Sequence, residues 1–175
     1  VTLMLHDDGR PIRFHIEVSG RDVVVQIWKA RIGKVCLFLL DTNLRCNRIE
    51  DRQITAQLYG GDSEMRLRQE ILLGIGGITA LETLGVNPSV CHMNEGHAAF
   101  MGLERIRKSM QSHNLNFHQA REATLSGNVF TTHTPVPAGH DAFSPALMEK
   151  YFSDYAKSLG LAWADFISVG RTSNT

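Results

Sequence analysis

The chain has 175 residues, 43% of them hydrophobic, with 18 Lys+Arg balanced by 18 Asp+Glu to a formal net charge of zero. This is enough for a single domain with a buried core. The balance argues against nucleic acid as the main partner, because neutralising phosphates needs a basic surplus, and no apolar run approaches the roughly 20 residues of a membrane helix.

The first forty residues read as strands. Arg13-Phe14-His15-Ile16-Glu17-Val18 alternates, and Ser19-Gly20-Arg21-Asp22 is a turn signal. Val23 to Trp28 is rich in β-branched residues, and Val35 to Leu40 follows a second turn at Arg31 to Lys34. Short turns between neighbouring strands predict an antiparallel meander. Asp41 to Asp51 is polar and irregular. The period then changes: Leu67, Ile71, Ile75, Ile78 and Leu81 recur at helical spacing, with Asp62 or Ser63 as N-cap and Gly85 as the stop. Composition therefore divides the chain into a β-rich part, 1–62, and a βα part, 63–175.

A βα unit follows, with a strand from Ser89 to Met93 and a helix carrying Ala99, Leu103, Ile106 and Met110 on one face. Asn116 opens another helix, with Gln119 as its capping-box partner. After Gly127 a second strand runs from Val129 to Thr132. Strand–helix–helix–strand predicts a parallel, buried pair joined by a right-handed crossover. The tail from Ser144 to Gly170 is helical by the spacing of Leu147, Tyr151 and Tyr155. The fold class is α/β.

Both strands of the pair end in polar clusters, at Asn94-Glu95-Gly96-His97 and at His133-Thr134. In open α/β sheets, ligands bind beyond the carboxyl ends of the strands. Asn94, Glu95, His97, His133 and Thr134 are the candidate binding residues on that rule. Gly74-Ile75-Gly76-Gly77 is not a nucleotide fingerprint: it lies inside a helix, and Thr79 stands where the third glycine is needed. Close helix packing explains it better.

The residue types allow several chemistries. Glu95, His92, His97, His133, His140 and Asp141 are metal-ligand types, but HExxH is absent and none are paired at i, i+4, so no metal site is assigned. No G-x-S-x-G elbow exists. Glu95 and Asp141 are the types of a glycosidase pair, at a separation the sequence does not give. Convergent Asn, carboxylate and imidazole groups suit sugar hydroxyls, and a purely structural polar cluster fits equally well. Cys36, Cys46 and Cys91 are odd in number without CxxC spacing, which predicts buried reduced thiols in a cytosolic protein. The N-terminus lacks a signal-peptide pattern, so the expected location is the cytoplasm.

Longer blocks carry a family resemblance. Asp41-Thr42-Asn43, Glu50-Asp51-Arg52, Thr55-Ala56-Gln57-Leu58-Tyr59-Gly60-Gly61-Asp62, Arg66 to Glu70, His92 to Phe100 and Phe130 to Asp141 occur in order. Together they resemble the bacterial α-glucan (glycogen, starch, maltodextrin) phosphorylases, from about Leu3 to about Gly170. The resemblance implies part of the Rossmann-like N-terminal domain of a GT-B fold, with the meander at its start. It implies reversible phosphorolysis of an α-1,4-glucan to glucose 1-phosphate, with pyridoxal phosphate as cofactor, glucan and phosphate as partners, and a homo-oligomeric parent. It places His133 in the catalytic site, and Asn94, Glu95, His97 and Thr134 at the glucosyl subsite, with Asp62 at a mobile loop by its mouth. The cofactor lysine belongs to a second domain outside this chain, so the isolated chain is expected to be inactive. A metal-dependent sugar hydrolase and a non-catalytic glucan-binding module are the alternatives.

Overall fold

Residues 13–41 form the antiparallel meander that their alternation predicts. In the computed structural model, which describes residues 1–58, 60–136 and 141–171, β2 (Arg13–Val18) pairs with β3 (Arg21–Ile32), and β3 pairs with β4 (Val35–Asp41). A short β1 (Thr2–Leu3), which the sequence does not announce, continues the β2 edge through Trp28 and Lys29. Phe14, Ile16 and Val18 of β2 are buried while Arg13, His15 and Glu17 are exposed, because successive side chains point to opposite faces. Val23, Val25 and Ile27 of β3 are fully buried, each contributing roughly 1.5–3 kcal/mol. Tyr59, Gly139 and His140 of the sequence motifs lie outside the described residues.

Two compact units are present, Val1–Pro88 and Ser89–Thr175. Their boundary lies beyond the compositional change at 62/63, because the helices that follow Asp62 lie on the sheet. In the first unit, a helical turn α1 (Ile49–Arg52) places Asp51 between Arg21 and Arg68, each with a guanidinium nitrogen 2.7 Å from its carboxylate. Asp51 is 3% exposed, so this pair of ionic contacts ties α1 to β3 and to α2 (Ser63–Ile71) in a dry setting. Asp62 caps α2 by accepting from the Met65 N–H at 2.9 Å, as its position predicts.

The expected single helix is interrupted. A wide π turn at Leu72–Gly76 separates α2 from α3 (Gly77–Thr83). The extra residue in that turn re-aims the inward face. Leu67, Ile71, Leu72 and Ala80 are buried, whereas Ile75, Ile78 and Leu81 of the expected stripe are only half-buried. Gly76 explains the glycine cluster. A Cβ there would lie 3.1 Å from Leu72 Cδ1, 3.6 Å from Ile16 and 3.7 Å from Leu40. The backbone thus approaches both β2 and β4, which is the close packing expected of this segment.

In the second unit, β5 (Cys91–Asn94) and β6 (Asn128–Thr131) pair in parallel, with Cys91 opposite Asn128 and Asn94 opposite Thr131. Between them run α4 (Phe100–His113) and α5 (Phe117–Leu125), the latter opened by the predicted reciprocal box of Asn116 and Gln119. Arg105 of α4 holds the start of β6 through the Gly127 carbonyl and the Asn128 side chain. Glu104, fully buried, accepts from Arg107 and from the Tyr155 hydroxyl at 2.7 Å, joining α4 to α6 (Pro145–Ser158). Burial and the nearby Glu104 charge push the Tyr155 phenol well above its ordinary value, so it stays a donor. Phe152 stacks between Phe100 and Phe166, the last on α7 (Trp163–Val169).

Three expectations need correction. The strand pair is not buried: Val129 and Phe130 are 45% and 53% exposed, because no further strand flanks the pair among the described residues. The inward residues of α4 are Glu104 and Ile106, since the Glu104 network takes the place of a purely apolar stripe. Only Cys91 is a buried thiol; Cys36 and Cys46 are exposed, on β4 and in the loop after it, and all three are free.

The packing at Gly76 gives a graded test. Gly76→Ala is expected to change stability by less than about 1 kcal/mol, because the Leu72 methyl can turn aside and Ala favours the helix. Gly76→Leu is expected to cost about 1–3 kcal/mol by overpacking against β2 and β4. Amide exchange of β3, before and after substitution, measures both.

Candidate functional site

The site is built where β5 and β6 end together. The parallel ladder carries one step past the strands, with Glu95 N–H donating to the Thr131 carbonyl at 2.8 Å. Asn94 and Thr131 are partners across the pair, so the chain after each strand emerges at the same edge.

Glu95 turns sharply there. Its φ of 65° and ψ of −173° fall in a region that is almost exclusive to glycine. Holding any other residue in it costs on the order of 1–3 kcal/mol. The turn points its carboxylate across to the segment after β6, where it gathers four donors. Oε1 accepts from the His133 N–H at 2.6 Å, the Thr134 N–H at 3.0 Å and the Thr134 hydroxyl at 3.0 Å. Oε2 accepts from the Thr132 hydroxyl at 3.3 Å. Glu95 is 5% exposed. The His133 N–H above all, with the Thr134 and Thr132 donors, holds its pKa below the ordinary 4.5 against the opposing effect of burial.

Asn94 meets the ring of the same histidine. Its Oδ1 lies 2.6 Å from His133 Nε2. An amide oxygen accepts, so this contact calls for a proton on Nε2, and in the neutral ring Nδ1 is then the acceptor. Asn94 and His133 are exposed, and Thr134 is half-buried. A parallel contact lies one step back, where His92 Nε2 is 2.7 Å from the Thr131 hydroxyl.

His97 occupies a turn of 3₁₀ helix at Gly96–Ala98, immediately before α4. Its Nδ1 lies 3.9 Å from Asp141 Oδ2, so the chain beyond the second polar cluster returns to the first. Asp62 belongs to the other compact unit, where it serves as the α2 N-cap. The glycine before it is required: Gly61 has φ 84°, and a Cβ would lie 2.6 Å from the Met65 side chain.

The structure thus brings together Asn94, Glu95, His133 and Thr134, and pairs His97 with Asp141. Sequence reasoning missed Thr132 as a donor to Glu95 and the His92–Thr131 contact. No local signal marks either, since each joins residues more than thirty-five positions apart. Chemically, the cluster is an ordered loop with an imidazole and a hydroxyl at its surface, held by one buried anion.

No family model matches the chain. A protein of Thermococcus litoralis named maltodextrin phosphorylase is 41% identical over 165 residues, covering 94% of this chain and 20% of its own length. A glycogen phosphorylase of Mycobacterium tuberculosis is 43% identical over 168 residues, covering 86% of this chain and 19% of its own. A glycogen phosphorylase of Aquifex aeolicus is 33% identical over 152 residues, covering 87% of this chain and 22% of its own.

An α/β segment with a polar site at the ends of parallel strands is the class that fold and site define. This chain belongs to the glycogen and maltodextrin phosphorylase family. It spans about a fifth of the length of the curated relatives it matches.

The lowered pKa of Glu95 fixes a pH window. A depressed carboxylate contributes stability that is present above its unfolded value and lost as pH falls through the folded value. The amide proton shifts of His133 and Thr134 are therefore expected to hold as pH drops through 4.5 and to move only below it. A transition at or above 4.5 would contradict this.

Proposed function

We propose that this chain is part of an α-1,4-glucan phosphorylase, an enzyme that splits glycogen, starch or maltodextrin with phosphate to give glucose 1-phosphate. The observation that carries the reading is the loop after β6, anchored by Glu95 so that His133 and Thr134 stand at the carboxyl ends of two parallel strands. That edge is where open α/β sheets bind ligands, and the relatives named above are called phosphorylases.

In this reading the chain is one incomplete domain of GT-B type, with its β-rich part at 1–62 and its βα part at 63–175. Exposed apolar side chains support incompleteness. Parallel sheets are normally covered on both faces, yet Val129 and Phe130 of the parallel pair are open. The full enzyme would act on a glucan and phosphate, as a homo-oligomer in the cytoplasm. Among the described residues, no helix is long and apolar enough to cross a membrane.

His133 is the residue assigned to catalysis. Its ring, with the proton held on Nε2, offers Nδ1 to a sugar hydroxyl, and its carbonyl, aimed at the glucosyl carbon, would favour the positive charge that develops there. Thr134 and His97 would orient the glucose, with Asn94 and Glu95 holding the subsite in shape behind them.

Family members use pyridoxal phosphate, whose phosphate supplies proton exchange with the substrate phosphate. Lys108 and Lys157 are tied to carboxylates rather than poised for its covalent attachment. Lys108 lies 3.8 Å from the Glu104 carboxylate, and Lys157 lies 2.6 Å from that of Asp154, whose hydrogen bond raises the amine's pKa and holds it charged, whereas attachment needs it neutral. Lys150 lies over the Tyr151 ring, and Lys29 and Lys34 belong to the first unit's hairpin.

The test is phosphorolysis measured on the full-length protein that contains this chain. His133→Ala is expected to lower kcat on the order of 10²-fold while KM changes little, since the contact matters most in the transition state. An unchanged kcat would contradict the assignment. The 175-residue chain alone is expected to release no glucose 1-phosphate from maltodextrin and phosphate, because it covers so little of its relatives.

A further inference from the structure

We propose that Asn94 and Glu95 are positioning residues for His133, Glu95 fixing its backbone and Asn94 fixing its ring, and that neither binds the sugar itself. The catalytic meaning of this rests on the reading of the site above. The positioning does not, because it is visible without any ligand.

Three observations converge. First, both oxygens of the Glu95 carboxylate are engaged by the loop, Oε1 by the His133 and Thr134 amides and the Thr134 hydroxyl and Oε2 by the Thr132 hydroxyl. Buried to 5% exposure, Glu95 has little capacity left for a hydroxyl of a substrate. Second, Glu95 is held at φ 65°, ψ −173°, a conformation in which glycine would replace it without strain. A residue kept there against its own preference is kept for its side chain, and the hydrogen bonds of that side chain to described residues go to the loop. Third, the next residue back, Asn94, contacts His133 Nε2 at 2.6 Å. Two consecutive residues of one strand end thus hold the main chain and the ring of one histidine on the other.

The division of labour follows from geometry. Glu95 collects the His133 and Thr134 amides at a single oxygen, which sets the direction of the peptide between them and hence of the His133 carbonyl. Asn94 accepts the Nε2 proton and so sets the tautomer. An imidazole free to exchange tautomers would present Nδ1 as a donor part of the time and lose its fixed role as acceptor.

The experiment uses the full-length protein that contains this chain, labelled with nitrogen-15 and free of any ligand. In Glu95→Gln, the His133 and Thr134 amides are expected to exchange about tenfold faster, the loss of roughly one hydrogen bond to a charged acceptor, while β3 amides are unchanged. In Asn94→Ala, the His133 ring nitrogens are expected to shift toward the Nδ1–H tautomer; Asn94→Asp, which keeps an acceptor in place, is expected to restore Nε2–H. Should Glu95→Gln fail to fold, Glu95→Gly serves instead, since it relieves the backbone and removes the carboxylate. It is expected to leave the strands protected and the loop amides open. Unchanged loop protection in the Glu95 variant that folds, or an unmoved ring signal in Asn94→Ala, would overturn the proposal. A full-length protein that binds no maltodextrin would sink the carbohydrate reading while leaving these results standing.

Discussion

One buried carboxylate organises the site. Glu95 sits at the exit of β5, and the groups it binds all follow β6. Without it, two backbone N–H groups and two hydroxyls would converge on no acceptor. Unpaired donors cost about 1–3 kcal/mol each when dry. The segment from Thr132 to Thr134 has no regular secondary structure of its own to satisfy those donors. Its conformation therefore depends on an anion supplied from the other strand, and the backbone strain at Glu95 is offset by the bonds its side chain makes.

The rest of the second unit fixes the two strand ends against each other. Arg105 holds the beginning of β6 through Gly127 and Asn128. Gly127 must be glycine for this, since a Cβ would lie 2.9 Å from the Ser89 carbonyl and 2.7 Å from the Arg105 guanidinium. Glu104 ties the same helix to α6, and Phe152 fills the space between Phe100 and Phe166. The strands are thus clamped at their start by Arg105 and at their end by Glu95. His133 is an exposed residue made rigid by buried ones, an arrangement that suits a group whose direction matters more than its affinity.

Much of this was legible in the letters, and the misses have physical causes. Alternation in Arg13 to Val18 and the β-branched run from Val23 gave the meander, because side-chain period is local. Asp62, Asn116 and Gln119 gave helix starts for the same reason. The parallel pair followed from two apolar runs separated by helical patterns. The π turn at Leu72–Gly76 was hidden, since one extra residue in a turn leaves the apolar count unaltered. Burial of β5 and β6 was overestimated, because apolar composition marks what a strand can bury rather than what covers it. Residues of the site were found by their position after the strands. Their roles were not: only the backbone reversal at Glu95 shows that its carboxylate faces the loop, and a left-handed glutamate has no sequence signature. The family blocks carried the functional reading further than chemistry alone, which left a structural cluster equally open.

In the function proposed above, the fold supplies one wall of a carbohydrate site rather than a complete enzyme. The most direct measurement is a diffraction structure of the full-length protein with a maltodextrin bound. The expected result is a glucosyl unit against His133 and Thr134, with the Glu95 carboxylate still on the His133 and Thr134 amides. A sugar hydrogen-bonded directly to Glu95, or bound away from this strand edge, would contradict it.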